Sequence, residues 1–132
     1  MADLRLVKLF QGLPDKELKT IERELKEIRH PAGREIVVLG DNGVGFMIIA
    51  SGRVTVALPN GTRRQLGAGD SFGEMALLDH EGRSASITAD EDVVLLTIPE
   101  WSFKSFLRDH PEVTYRLLQQ LSHRVRQAES SA

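Results

Sequence analysis

The sequence predicts a mainly β domain: a jelly-roll β-barrel with an N-terminal helical segment and C-terminal α-helices. Three observations support this fold class. Apolar residues recur at helical spacing near both ends of the chain, short β-type runs fill the middle, and turns rich in Gly, Asn and Asp separate those runs. Many short strands without intervening helices are typical of a sandwich or barrel rather than of a βαβ sheet.

Length and composition are those of one ordinary domain. The chain has 132 residues, of which 41% are hydrophobic and 27% charged, so we expect one folded domain over 1–132 and little disorder. The net charge of −2 argues against nucleic-acid binding by this segment. The sequence has no cysteine, no apolar stretch of membrane-spanning length and no signal-peptide layout at its start. We therefore expect a cytoplasmic protein that makes no membrane contact.

Residues 1–30 are predicted to form the N-terminal helical segment. Pro14 and the acidic residues after it indicate a helix start, and Pro31 indicates its end. Apolar positions at helical spacing predict one amphipathic face that runs to about Ile28, clearest at Leu18, Ile21, Leu25 and Ile28.

Residues 33–98 are predicted to form the barrel. The β-type runs are 36–39, 46–49, 54–58, 64–66, 84–88 and 93–98. Asn60-Gly61, between two of these runs, is a strong hairpin signal. The glycine-rich stretches 40–43, 51–52 and 67–70 predict the other turns.

Residues 99–128 are predicted to form two C-terminal helices that break at His110-Pro111. Trp101, Phe103 and Phe106 are predicted to be core residues. Leu118, Leu121 and Val125 follow a three-then-four spacing, which suits packing on the chain's own barrel and equally suits pairing with a second copy.

One stretch, residues 72–86, interrupts the β pattern with a short helical turn. Gly73 allows the backbone to approach a ligand closely, and free N–H groups near Ala76 form an anion site. Arg83 can close over the same anion with its planar guanidinium, and Ser84 can add a hydroxyl donor. Glu74 is suited to accept hydrogen bonds from sugar hydroxyls. An anion, a hydroxyl-bearing ring and nearby apolar residues together indicate a nucleotide.

This stretch resembles the phosphate-binding cassette of cyclic nucleotide-binding domains. Such domains occur in regulatory subunits of cyclic-AMP-dependent protein kinase, in catabolite-activator transcription factors and in cyclic-nucleotide-gated channels. The likeness extends over nearly the whole chain, through 9–13, Gly33, Gly40, 46–54, Gly52, 69–70, 106–107 and 116–118. The resemblance implies a ligand-binding sensor with the jelly-roll fold, and not an enzyme.

The resemblance also implies a role for each cassette residue. Glu74 binds the ribose 2′-hydroxyl, Arg83 binds the cyclic phosphate, and the remaining predicted ligand-binding positions are Gly73, Met75, Ala76, Ser84 and Ala85. Serine at position 84 favours cyclic AMP over cyclic GMP. No cofactor other than this ligand is implied. The expected partners are the cyclic nucleotide and either a second copy, paired through the C-terminal helix, or a fused effector domain.

Two departures from the family pattern support an alternative. Gly82 stands where many members have proline, and the last helix stops early. The alternative is a barrel that has lost its ligand and serves as a dimerisation or protein-interaction module, in which Arg83 is a surface arginine and Glu74 a helix-start carboxylate. An iron- or manganese-dependent barrel enzyme ranks far behind, because His30, His80, His110 and His123 lack the paired spacing of metal ligands.

Overall fold

Eight strands in two antiparallel sheets form the centre of the fold, in a computed structural model that describes residues 4–37, 45–73 and 86–130. The strands are β1 Lys26–His30, β2 Glu35–Val37, β3 Gly45–Ser51, β4 Val54–Ala57, β5 Arg63–Leu66, β6 Ser71–Phe72, β7 Ser86–Ala89 and β8 Val93–Pro99. The first sheet has the order β1-β8-β3-β6 and the second β2-β7-β4-β5. The predicted mainly β class is confirmed.

Helices lie at both ends of this β structure. Two short 3₁₀ turns, Leu4–Leu6 and Lys8–Phe10, precede α1 Asp15–Glu24, and α2 Glu100–Asp109 and α3 Pro111–Ser130 follow β8. The predicted break at His110-Pro111 is therefore confirmed. Within the described residues, no helix has both the length and the apolar composition needed to cross a bilayer.

The prediction that the N-terminal helix runs to Ile28 is wrong. The helix ends at Glu24, Leu25 adopts an extended conformation with φ −92° and ψ 145°, and residues 26–30 pair with β8 as an edge strand. Leu18 and Ile21 are buried as predicted, whereas Ile28 is 36% exposed. Pairing with β8 prevails over a local pattern that is equally compatible with a helix, because tertiary contacts override propensity.

The first sheet separates two hydrophobic cores. Alternate residues of β3 face opposite sides, so Phe46 and Ile48 pack against the helices, while Met47 and Ile49 pack against the second sheet. Both faces of β3 are buried, which explains why its sequence is a continuous apolar run. Each fully buried side chain of this size stabilises the fold by roughly 1.5–3 kcal/mol.

The C-terminal aromatic residues do not all join the core. Phe103 and Phe106 are buried, but Trp101 is 79% exposed, with Lys26 Nζ 5.4 Å from the centre of its ring. The prediction that Trp101 is a core residue is therefore wrong. Phe103 and Phe106 lie three residues apart on one helix face, whereas Trp101, two residues before Phe103, lies away from that face.

The last helix divides its apolar residues between two sides. Val113 and Leu117 are buried and Leu121 packs against the same core, whereas Tyr115, Leu118 and Val125 are between 54% and 59% exposed. The three residues predicted as one seam therefore do not form one. Leu121 belongs to the chain's own core, and Tyr115 joins Leu118 and Val125 on the outer side.

Candidate functional site

The two sheets approach the predicted cassette from opposite ends. β6 lies in the first sheet, where Phe72 pairs with Met47, and β7 lies in the second, where Ser86 pairs with Ala57. Gly73 leaves β6 with φ 101°, a left-handed conformation that favours glycine. The cassette thus connects the two sheets, and at its start Gly73 has a backbone conformation that favours glycine.

The other predicted ligand-binding residues lie outside the described part of the chain. These are Glu74, Met75, Ala76, Arg83, Ser84 and Ala85. Of the predicted site, the structure therefore describes Gly73 and the strand ends on both sides of the cassette.

The turn before β6 is fixed by one carboxylate. Asp70 Oδ2 accepts a hydrogen bond of 2.9 Å from the Gly67 amide, and Asp70 Oδ1 accepts one of 2.7 Å from Lys8 Nζ. Two backbone bonds of 2.8 Å join the same turn to Ile49 of β3. The approach to Gly73 is therefore held by the first sheet and by the N-terminal 3₁₀ turn.

These contacts also set the protonation of Asp70. Burial alone raises the pKa of this carboxyl group, but the hydrogen bond from Gly67, the hydrogen bond and charge of Lys8 and the charge of Arg124 together outweigh it. The pKa of Asp70 therefore lies below its ordinary value of 3.8. The folded protein favours the charged carboxylate.

A groove of about 490 Å³ lies between the barrel and α3, next to the start of the cassette. Of the described residues that line it, four are lysine or arginine and one is an acid, so the groove carries an excess of positive charge. Its lining is Lys8, Arg64, Leu66, Asp70, Ser71, Arg116, Gln119, Gln120, His123, Arg124 and Gln127. A groove of this charge suits an anionic ligand with polar edges.

Two arginines of α3 attach the helix to the rest of the domain. Arg124 Nη2 donates a hydrogen bond of 3.1 Å to the carbonyl of Ser71, two residues before Gly73. Arg116 Nη1 donates to the carbonyls of Leu9 and Gln11 in the N-terminal segment. The last helix is therefore bonded to the strand that leads into the cassette.

Sequence reasoning found part of this groove and missed the rest. Arg116, His123 and Arg124 were evident as a basic side of the last helix, for which a solvated face is the common explanation. Arg64 was missed, although it shares a strand face with Leu66 and pairs with the buried Val56, while its own side chain is exposed to the groove. A basic residue at an inward position of a strand was the available signal.

Comparison with known proteins identifies the family. Residues 27–110 match the sequence profile of the cyclic nucleotide-binding domain. The chain belongs to this family. The matched region runs from β1 to the residue between α2 and α3, and it includes the whole predicted cassette, so the predicted resemblance is confirmed.

Individual relatives agree with this assignment. The cyclic AMP receptor protein of Thermus thermophilus is 35% identical over 126 residues, which are 92% of this chain and 58% of the relative. A cyclic nucleotide-gated potassium channel of Rhizobium etli is 40% identical over 107 residues, which are 81% of this chain and 30% of the channel.

A solved structure confirms the predicted barrel with helices at both ends. The crystal structure of the Thermus thermophilus catabolite activator protein matches with a TM-score of 0.83 at 34% identity, over 93% of this chain and 60% of that one. The chain thus spans less than two thirds of the length of each of these relatives.

Proposed function

We propose that this domain is a sensor that binds a 3′,5′-cyclic purine nucleotide at the cassette 72–86. The observation that carries the proposal is the family match over residues 27–110, which includes the cassette with its Gly-Glu pair and its Arg-Ser-Ala run. The positive φ of Gly73 and the positively charged groove beside it support the same site. No covalent step is part of the proposal.

In the proposed complex, different cassette residues contact different parts of the nucleotide. Arg83 pairs with the cyclic phosphate, together with the Ser84 hydroxyl and backbone amides near Ala76 and Ala85. Glu74 accepts a hydrogen bond from the ribose 2′-hydroxyl, and Met75 contributes apolar contact. Serine at position 84 favours cyclic AMP by resemblance to the family, and the similarity to the cyclic AMP receptor protein of Thermus thermophilus supports this ligand.

Cyclic GMP is a second candidate ligand, which Arg64 supports. Arg64 pairs with Val56 and Leu66 with Val54, and both valines are buried inside the barrel, so Arg64 and Leu66 share the inward face and line the groove. A planar guanidinium suits the paired acceptors O6 and N7 of guanine, whereas adenine presents N7 beside a donor. If Arg64 reads the base, Arg64→Ala lowers affinity for cyclic GMP more than for cyclic AMP.

The proposed signal leaves the site through α3. The hydrogen bond from Arg124 to the Ser71 carbonyl links α3 to the strand just before the cassette. Phosphate binding that orders the cassette therefore favours one position of α3 over others. Whatever contacts α3 then reads the change. Such a switch requires only that the ligand bind one arrangement better than the other.

We propose that the signal passes to a second copy of this chain or to a fused effector domain. We do not expect this segment to contact nucleic acid. Tyr115, Leu118 and Val125 form an exposed apolar stripe on α3, suited to pairing with the same helix of another copy. Sedimentation of the wild type and of Leu118→Glu tests this pairing, and loss of a dimer in the variant is the expected result.

The net charge of −2 opposes direct DNA binding, and the absence of cysteine suits a cytoplasmic location.

Calorimetric titration with cyclic AMP and cyclic GMP tests the ligand. We expect Arg83→Ala to lower affinity by about 100-fold or more, because it removes charge-assisted hydrogen bonds of about 1.5–3 kcal/mol each. Glu74→Ala should have a smaller effect and abolish discrimination against the 2′-deoxy ligand.

The matched control is Arg63→Ala, because Arg63 is exposed and pairs with Ala57 on the other face of β5. It should bind as the wild type does. Heat with neither nucleotide in the wild type would favour the ligand-free interaction module.

A further inference from the structure

A buried histidine joins the last two helices to the first one. His110 lies between α2 and α3, and its side chain is 3% exposed. Its Nδ1 is 2.9 Å from Glu17 Oε2, and its Nε2 is 3.1 Å from Glu24 Oε2. Both carboxylates belong to α1, two helical turns apart. None of these residues lines the groove or belongs to the cassette.

With Glu17 and Glu24 both ionised, the two contacts require two ring protons. A carboxylate only accepts hydrogen bonds, and a neutral imidazole has a single N–H to donate. With one proton, the ring would direct a nitrogen lone pair at one of the two carboxylates. Both contacts are therefore favourable together when His110 is an imidazolium cation between Glu17 and Glu24.

The other groups around the ring are largely uncharged. On α2 the ring of Phe106 lies 4.7 Å away, centre to centre, and on α3 Thr114 bonds to the carbonyl of His110 rather than to its ring. Among the described residues, the charged side chains bonded to the ring are those of Glu17 and Glu24. The neighbouring Arg108, Asp109 and Glu112 are exposed. His110 follows the C-terminal end of α2 and precedes the N-terminal end of α3, so the two helix dipoles act on the ring in opposite directions.

We propose that His110, Glu17 and Glu24 form a proton-dependent clamp that holds the junction between α2 and α3 against α1. When the ring loses its second proton, one nitrogen and one carboxylate oxygen repel each other, and that contact opens. Because α3 starts at Pro111, next to the ring, the released junction gives the last helix more freedom. The clamp makes the position of α3 sensitive to pH, and this inference does not depend on nucleotide binding.

Nitrogen-15 NMR of the imidazole rings tests the clamp in the full chain without ligand. We expect two ring N–H groups on His110 as long as the clamp is closed, with the exposed His123 as a reference in the same spectrum. In the double variant Glu17→Gln, Glu24→Gln, an amide can accept or donate, so one of the two N–H signals should be lost. Glu22→Gln, exposed on the same helix, is the matched control and should keep both.

Hydrogen exchange of the wild type tests the mechanical part and needs no variant. As the pH is raised, backbone protection across residues 107–114 and α1 should be lost together with the second ring N–H, after correction for the intrinsic pH dependence of exchange. A single N–H on His110 in the wild type throughout the pH series overturns the proposal. So do two N–H groups in the double variant, or protection that persists after the second proton has gone.

Discussion

Gly73 and Asp70 are two described residues at the start of the predicted anion site, and the sequence indicates only part of what they do. Gly73 could be singled out from the sequence as a place where the backbone can approach a ligand, and its φ of 101° shows a conformation that favours glycine. Its contact with a ligand stays a prediction. Asp70 was visible only as part of a Gly-Asp pair in a turn. Its bonds to Lys8 and Gly67 depend on a residue 62 positions away, which no local pattern reveals. Contacts of this kind arise only once the chain has folded.

The acid dependence of stability should reveal the role of Asp70. Because its pKa in the folded state lies below 3.8, the carboxylate contributes its full stabilisation above pH 3.8, and that contribution is lost as pH falls through the lower folded pKa. Asp70→Asn keeps an acceptor for Gly67 but removes the charge. We expect the variant to lose roughly 1 kcal/mol at neutral pH and to show a shallower decline in acid.

Urea unfolding at a series of pH values measures this difference. Glu91→Gln, an exposed acid in another turn, is the control and should follow the wild-type curve. Parallel acid limbs for the wild type and Asp70→Asn would mean that the contacts of Asp70 do not stabilise the folded state.

At the scale of elements, periodicity predicted most strands and both C-terminal helices, and it failed where pairing partners decide. The runs near β3, β4, β5, β7 and β8 were predicted because turn residues bound them on each side. β1 was missed because Leu25 and Ile28 continue a helical spacing, and only β8 makes that segment a strand. β6 was missed because two residues carry no period.

The turn between β3 and β4 should tolerate an added side chain less well than the turn between β4 and β5. Gly52 and Gly61 both have φ +90°, but a Cβ at Gly52 would lie 2.5 Å from the Asp92 carbonyl oxygen, whereas a Cβ at Gly61 has no atom within 4 Å. Gly61→Ala should cost about 1 kcal/mol from backbone strain alone. Gly52→Ala should cost at least about 2 kcal/mol more, because the turn must also shift.

Denaturant unfolding of the two variants, with m-values compared, measures that difference. Equal losses of stability would show that the close approach of the β3–β4 turn to Asp92 is not a constraint on the fold.

At the scale of the whole molecule, the sequence predicts a ligand site at the cassette, and this site stays a prediction, whereas the groove beside the cassette becomes visible only in the folded chain. The cassette could be proposed from its own residues, because its Gly-Glu pair and its Arg-Ser-Ala run resemble those of the family that the match over residues 27–110 confirms. The groove beside it combines Arg64 of β5 with Arg124 of α3, and Arg124 is bonded to the carbonyl of Ser71, just before the cassette. These placements depend on the packing of α3 on the barrel, which spacing along the chain does not encode.

The free energy of unfolding in the presence of nucleotide shows whether the domain binds a cyclic nucleotide, since a ligand that binds the folded state alone must stabilise it. At a nucleotide concentration of one hundred times the dissociation constant, urea unfolding should show a gain of about 2.7 kcal/mol for the wild type and a much smaller one for Arg83→Ala. An unfolding curve that neither cyclic AMP nor cyclic GMP shifts would contradict the account.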